Sequence, residues 1–329
     1  MALRTAVTEM FGIDHPIVLA PMGGVAGGRL TAAVSEGGGL GIIGGGPGQR
    51  DWLERECAIA KESTEKPWGI GLLTWAIDQS IVEWVVEQRP AAVVLSFGDP
   101  APFASTVRDA GIPLIVQVNT ITETRHALDV GADVLVAQGS EAGGHGGGRA
   151  TLPFVPAVVD VAGATPVLAA GGIADGRGLA AALMLGAAGA VIGTRFEATP
   201  EALIDEREAK SITAAEASDT VRGRVVDIAA EAAWPARYPA RTLRNAFIDR
   251  WQDREEELSA DAEARAEFRR GAKRADPDYA PIWAGEAVDL IAEVESASAL
   301  VGRISDEATR AIDAVRREHS PSGPRCGGS

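Results

Sequence analysis

The chain has 329 residues, a formal net charge of -15, 46% hydrophobic and 5% aromatic residues, and 39 glycines. No basic face offsets that acidity, which excludes nucleic acid and anionic membrane surfaces as partners and leaves any bound phosphate to local backbone dipoles. The length admits one large α/β domain with an appendage or two medium domains, and the composition suits a core of Ala, Val, Ile and Leu on short strands.

In chain order, short apolar runs at 17–22, 40–44, 68–73, 92–97, 113–118, 132–137, 166–170 and 190–193 read as strands. Between them, stretches such as 50–62, 81–88, 122–130 and 178–185 carry apolar residues at spacings of three and four, the period of a helix packed on one face. Eight such βα units predict a (β/α)8 TIM barrel over residues 1–200. A doubly wound open sheet is the alternative, because a miscount of one or two strands converts one into the other.

Beyond residue 198 strands give way to charged helical stretches at 204–216 and 245–270, and helix returns at 284–318. Residues 201–319 are therefore expected as a helical C-terminal extension. It packs either on its own barrel or on a partner subunit, which would make the chain a homo-oligomer. The segment Trp234-Pro-Ala-Arg-Tyr-Pro-Ala-Arg-Thr-Leu-Arg-Asn reads as an ordered loop, either a connector or a lid over the barrel mouth. Residues 320–329, rich in Pro, Gly and Ser, are expected to be a disordered tail. No basic segment leads an apolar run at the start and no run of eighteen apolar residues occurs, so neither export nor membrane insertion is expected. Cys57 and Cys326 make no disulfide framework or zinc cluster, and a reducing cytoplasm is the expected location.

Barrel chemistry sits at the carboxyl ends of the strands. The densest such stretch is Ala137 to Gly148, with six glycines and one imidazole, His145, directly after an apolar run. That many glycines argue for positive φ angles or close backbone approach to a ligand. Gly171, Gly172, Gly193 and Thr194 follow the last two strands, where barrels present amides to phosphate, and Asp175-Gly-Arg opens the helix behind them. Ala20-Pro-Met-Gly lets backbone lie flat against a ring system, with Met22 a polarizable contact beside Gly23. Gln138, ending its strand, can bond a ring carbonyl or nitrogen. His145 is the candidate acid–base group, with Glu141 available to orient it or simply solvated. No second histidine or cysteine stands nearby, so neither a metal site nor a thiol triad is supported.

Taken together, Ala20-Pro-Met-Gly-Gly, Gln138-Gly-Ser-Glu-Ala-Gly-Gly-His145, Ala169-Ala-Gly-Gly-Ile and Val191-Ile-Gly-Thr resemble the nitronate monooxygenases, formerly called 2-nitropropane dioxygenases. The resemblance covers roughly residues 10–200 and extends weakly to Arg241-Thr-Leu-Arg-Asn. It implies a non-covalent FMN. Met22 and Gly23 would face the isoalloxazine, Gln138 and Gly143 would contact the flavin, and Gly172 with Val191, Ile192, Gly193 and Thr194 would hold the phosphate. His145 takes the position of the catalytic base. The implied reaction is oxidation of alkyl nitronates, such as propionate 3-nitronate, or of nitroalkanes with O2, giving a carbonyl compound and nitrite. One departure is visible: many members read Gly-Val-Asn-Leu on the third strand, whereas this chain reads Gly69-Ile-Gly-Leu, so Gly71 replaces a flavin-touching asparagine, and Thr74 or water is expected to stand in. Two alternatives stay open: an NAD(P)H-dependent FMN enoyl-acyl-carrier-protein reductase on the same barrel, and a barrel that binds a phosphorylated metabolite without redox chemistry.

Overall fold

A computed structural model describes residues 3–318; the tail expected at 320–329 lies outside the described residues. Eight parallel strands form the core: β1 (Ile17–Leu19), β2 (Gly41–Gly44), β3 (Trp68–Leu73), β4 (Ala92–Ser96), β5 (Leu114–Val118), β6 (Val134–Gln138) and, after a two-residue strand β7 (Gly144–His145) that belongs to another sheet, β8 (Val167–Ala170) and β9 (Gly189–Ile192). Their order is β1-β9-β8-β6-β5-β4-β3-β2. A parallel bridge from Val18 to Leu40 joins the two ends. The sheet is a barrel, and the open-sheet alternative falls.

The strands read as near-continuous apolar runs because both faces are buried. Side chains alternate across the sheet. Val18, Ile42, Val94, Val136, Leu168 and Val191 fill the interior, where Val7 and Phe11 of the helix Ala6–Phe11 pack against them. Their neighbours, including Ile43, Leu72, Leu95, Val116 and Leu135, turn outward onto Leu53, Val82, Val107 and Phe154 of the surrounding helices. Each fully buried aliphatic side chain contributes about 1.5–3 kcal/mol, so the alternation itself specifies the register.

The last βα unit is split. β9 is followed only by the four-residue helix Thr194–Glu197. The eighth outer helix is instead Ala297–Glu318, which buries Leu300, Val301 and Ile304 in one cluster with Leu179, Leu30 and Val34. The C-terminal helix thus packs on its own barrel, beside Gly176–Met184 and Gly28–Glu36. Between β9 and this helix runs a long excursion.

Strands do not disappear there, contrary to the expectation from the sequence. β10 (Thr220–Gly223) and β11 (Ala240–Leu243) pair antiparallel, and β11 pairs in turn with β7. The helical stretch expected at 245–270 is three helices, Ala246–Trp251, Glu255–Ala260 and Ala262–Lys273, with Asn245 and Asp261 capping the first and third through their side chains. Val225, Phe247, Trp251, Leu258 and Phe268 give the excursion its own core.

Candidate active site

A cavity of about 390 Å³ opens at the carboxyl ends of the barrel strands and is bounded on its far side by the excursion. That size accommodates a cofactor-sized ligand. Met22, Gly23, Gln138, Gly143, His145, Gly171, Gly172, Val191, Gly193 and Thr194 all line it. Ile192 does not. Strand alternation turns its side chain away from Val191 and Gly193 into the outer cluster with Ile17 and Leu19.

Gly71 also lines the cavity. A Cβ there would lie 2.2 Å from Cβ of Pro21, so the proline that flattens the loop after β1 occupies the room a side chain at 71 needs. Thr74 is buried but does not reach the cavity wall. Ser96, at the end of neighbouring β4, does line it, and its buried Oγ has no hydrogen-bond partner among the described residues.

At the opposite end, Gly171 and Gly172 take φ values of +105° and +71°, a backbone that β-carbons oppose. Among the described residues, the amides of Gly172 and Ile173 have no acceptor. The first amides of Thr194–Glu197 are left over by helix geometry. The helix opened by Asp175 contributes none of its own. Asp175 Oδ1 accepts from the amides of Arg177 (2.9 Å) and Gly178 (3.2 Å), and Glu307 Oε2 accepts from Gly176 N at 3.0 Å. The expected helix N-terminus is therefore already capped by two carboxylates. Thr194 Oγ1 accepts from Gly285 N at 3.0 Å, tying the excursion to this end.

Gln138 is held at three points. Its Oε1 accepts from Asn119 Nδ2 (2.8 Å) and Gln117 Nε2 (3.1 Å), while its Nε2 donates to the carbonyl of His145 at 3.0 Å. The glycine-rich loop beyond it is clamped by arginines. Arg222 donates to the carbonyls of Ser140 (2.8 Å), Ala142 (3.0 Å), Gly146 (3.1 Å) and Pro239 (2.7 Å), and Arg241 also reaches Ser140 O. Burial, with Arg241 close by, brings the Arg222 guanidinium down to about 10. Glu141 does not orient His145: its carboxylate accepts from the amide and hydroxyl of Thr151 at 2.9 and 2.8 Å.

The partner of His145 is Asp227, 82 residues downstream, with Nε2 to Oδ1 at 2.9 Å. Both side chains are over nine-tenths buried. Pairing of β7 with β11 positions the histidine, and the helix Val225–Ala230 presents the aspartate. The indole of Trp234 stacks on the imidazole, centroids 3.4 Å apart and planes within 7°. Trp283 lies at 5.3 Å, and Trp75 and Phe97 flank Trp234 at 5.1 and 5.2 Å. Tyr238 donates to Glu123 Oε1 at 2.9 Å, fixing this segment to a barrel helix. The stretch expected as connector or lid therefore ends in a strand and covers the histidine.

These residues fit the cofactor that the sequence resemblance implies. Among the described residues, free amides stand at Gly172 and Ile173, and Ser96, which lines the wall, carries a buried hydroxyl without a partner. Gly23, Gly46 and Gly193 leave room that side chains would fill.

A family model described as nitronate monooxygenase matches residues 4–81 and 74–307. A nitronate monooxygenase of Neurospora crassa is 34% identical, over 92% of this chain and 91% of its own. A hydroxy-methyl-oxo-octahydroindene-carboxyl-CoA dehydrogenase of Mycobacterium tuberculosis is 38% identical over 63% of this chain, and the match spans 59% of that relative's length. Among solved structures, FabK from Thermotoga maritima superposes with a TM-score of 0.85 at 32% identity, covering 96% of this chain and 99% of that one. Nitroalkane oxidase from Streptomyces ansochromogenes gives 0.80 at 27% identity, covering 94% and 100%. The protein belongs to the nitronate monooxygenase family, whose members are FMN-dependent flavoenzymes.

Proposed function

We propose that the protein oxidises alkyl nitronates, such as propionate 3-nitronate, with dioxygen to a carbonyl compound and nitrite. The observation that carries this reading is the buried His145–Asp227 pair, 2.9 Å apart, on the wall of a cavity whose residues fit FMN. When bound, FMN supplies the electron transfer from the substrate to dioxygen. The chain supplies position, charge and proton handling.

Gly171, Gly172, Gly193 and Thr194 would hold the phosphate through backbone amides, with Val191 also on that wall. Met22, Gly23 and Gly143 would bound the ring, and Gln138, its amide fixed by Asn119 and Gln117, would present a set polar edge. Asp227 accepts from Nε2–H of His145 and so leaves Nδ1, which has no partner among the described residues, as the basic nitrogen. Nδ1 takes the α-proton of a neutral nitroalkane. The resulting imidazolium is stabilised by the Asp227 carboxylate and by the π face of Trp234. A substrate that arrives as the nitronate needs no base, and the protonated ring then donates to its nitro oxygens. Trp234 and Trp283 keep water from the ring during the transfer.

The test is the visible spectrum of FMN-loaded protein, recorded anaerobically after addition of propionate 3-nitronate, with NADH added in parallel. Flavin bleaching by the nitronate and not by NADH is expected. A second reading keeps the cofactor and changes the substrate, namely NAD(P)H-dependent reduction of an enoyl thioester. The superposition on FabK across nearly both chains favours it, and bleaching by NADH alone would establish it in place of the first.

A further inference from the structure

Glu197 lines the cavity and is only 4% exposed. Among the described residues its carboxyl has no hydrogen-bond or ion-pair partner. The other carboxyl on the wall, Glu141, is spent on Thr151. Arg195, two residues earlier, does not compensate Glu197: its Nη2 lies 3.7 Å from Glu295 Oε2 and its Nη1 donates to Ala198 O at 3.4 Å. The charge acting on Glu197 is another carboxylate, Glu208 of the helix Glu206–Ala214, and burial plus this repulsion push its carboxyl up to about 8. Held up to that value it keeps its proton at neutral pH, and no group among the described residues accepts from it. Its carboxyl lines the cavity, so that donor is available to a ligand. Thr194 and Glu197 are three residues apart on the helix Thr194–Glu197 and so share a face of it, and both line the cavity together with Gly172 and Ile173, whose amides are free among the described residues.

We propose that Glu197 binds the cofactor directly: as a carboxylic acid it donates a hydrogen bond to a phosphate oxygen of FMN, so that retention of the cofactor depends on this one proton. The inference rests on the FMN reading above. Phosphate monoesters reach the midpoint of their second ionisation near pH 6, below the transition of Glu197. Above that transition a carboxylate would face the phosphate dianion, and donor would become repulsion. The acidic residue thus serves an anion site because it is buried deeply enough to stay neutral.

The experiment is FMN affinity from pH 6.5 to 9.5, read by quenching of flavin fluorescence, for wild type, Glu197→Gln and Glu197→Leu, with riboflavin as the phosphate-free probe. Wild-type Kd for FMN should be flat below pH 8 and weaken about tenfold per pH unit above it, the slope of one linked proton. Glu197→Gln, a permanently neutral donor, should stay flat. Glu197→Leu should bind FMN about tenfold more weakly at pH 7, the worth of one hydrogen bond, and also show no step. Riboflavin should show no step in any variant. A flat wild-type FMN curve, the same step in Glu197→Gln, a matching step with riboflavin, or affinity that rises with pH because a cation bridges carboxylate and phosphate would each overturn the proposal. Failure of wild type to bind FMN at pH 7 would instead remove the cofactor reading and this inference with it.

Discussion

Asp227→Asn is the sharpest probe of the acid–base reading. In the wild-type site the carboxylate accepts from Nε2–H at 2.9 Å, with both groups buried. A hydrogen bond to a charged partner is worth about 1.5–3 kcal/mol against about 0.5–1.5 for a neutral one, so the amide forfeits about 1–1.5 kcal/mol of support for the imidazolium. The amide also brings an N–H, which bonds the ring in the wrong tautomer and leaves the proton on Nδ1, where the base is needed. The two effects together should lower kcat/KM for a neutral nitroalkane by about 10–100-fold, each tenfold being about 1.4 kcal/mol. A pre-formed nitronate needs no deprotonation but still meets the protonated ring, so it should lose only the imidazolium support, about tenfold or less and always less than the neutral substrate. Nitrite release, measured at one pH with nitroethane and with its pre-formed nitronate, reads both. Equal losses with the two substrates would show that Asp227 holds structure only, and undiminished turnover of the neutral substrate would refute the role outright.

Three further outcomes follow from the geometry. Gly71→Asn should destabilise the apoprotein by about 1–3 kcal/mol, because its Cβ must displace Pro21 from 2.2 Å; an unchanged urea midpoint would show that the loop after β1 yields freely. Arg222→Lys removes a planar fork that reaches four carbonyls. It should cost about 2–3 kcal/mol in urea unfolding and loosen the His145 loop, visible as faster amide exchange at 140–146, whereas wild-type exchange there would refute the clamp. Glu197 has a native carboxyl held up to about 8 against its ordinary 4.5. The native state binds the extra proton, so apoprotein stability should be complete below pH 4.5 and fall as pH rises through 8. Glu197→Gln should lack that component and have the higher urea midpoint at pH 9, and coincident profiles for the two proteins would contradict it.

The barrel was legible because strands buried on both faces appear as apolar runs, and β1 to β6, β8 and β9 follow that rule apart from Gln117 in β5 and the polar residues Ser96 and Gln138 that end β4 and β6 at the cavity. β10 and β11 hid from it. Each is four residues long, and Arg222 and Arg241 stand where alternation would place apolar side chains, because their guanidinium groups are buried against loop carbonyls. β7 is just Gly144 and His145, which no strand pattern marks. Most of the cavity wall was readable from glycines and strand ends, with Ile192 misplaced by taking a run of residues where alternation allows every second one. The partner of His145 was not readable: the nearby Glu141 was the local candidate, and only folding of the excursion brings Asp227 to the ring. Asp175 carried a signal that sequence spacing could have decoded. An Asp before a helix caps that helix, and a capped N-terminus has no amides to offer phosphate.

The split last βα unit has a consequence for the order of synthesis. A ribosome that has delivered the first 200 residues has released every barrel strand, yet Leu30, Val34 and Leu179 still lack the helix that covers them. That helix, Ala297–Glu318, comes last. Because excursion and covering helix are made after the strands, the nascent barrel carries an exposed apolar seam between its first and last helices through the translation of about a hundred residues, several seconds at ordinary elongation rates. The seam closes only when Leu300, Val301 and Ile304 emerge, so a chain interrupted anywhere in the excursion is a complete set of strands with a sticky side.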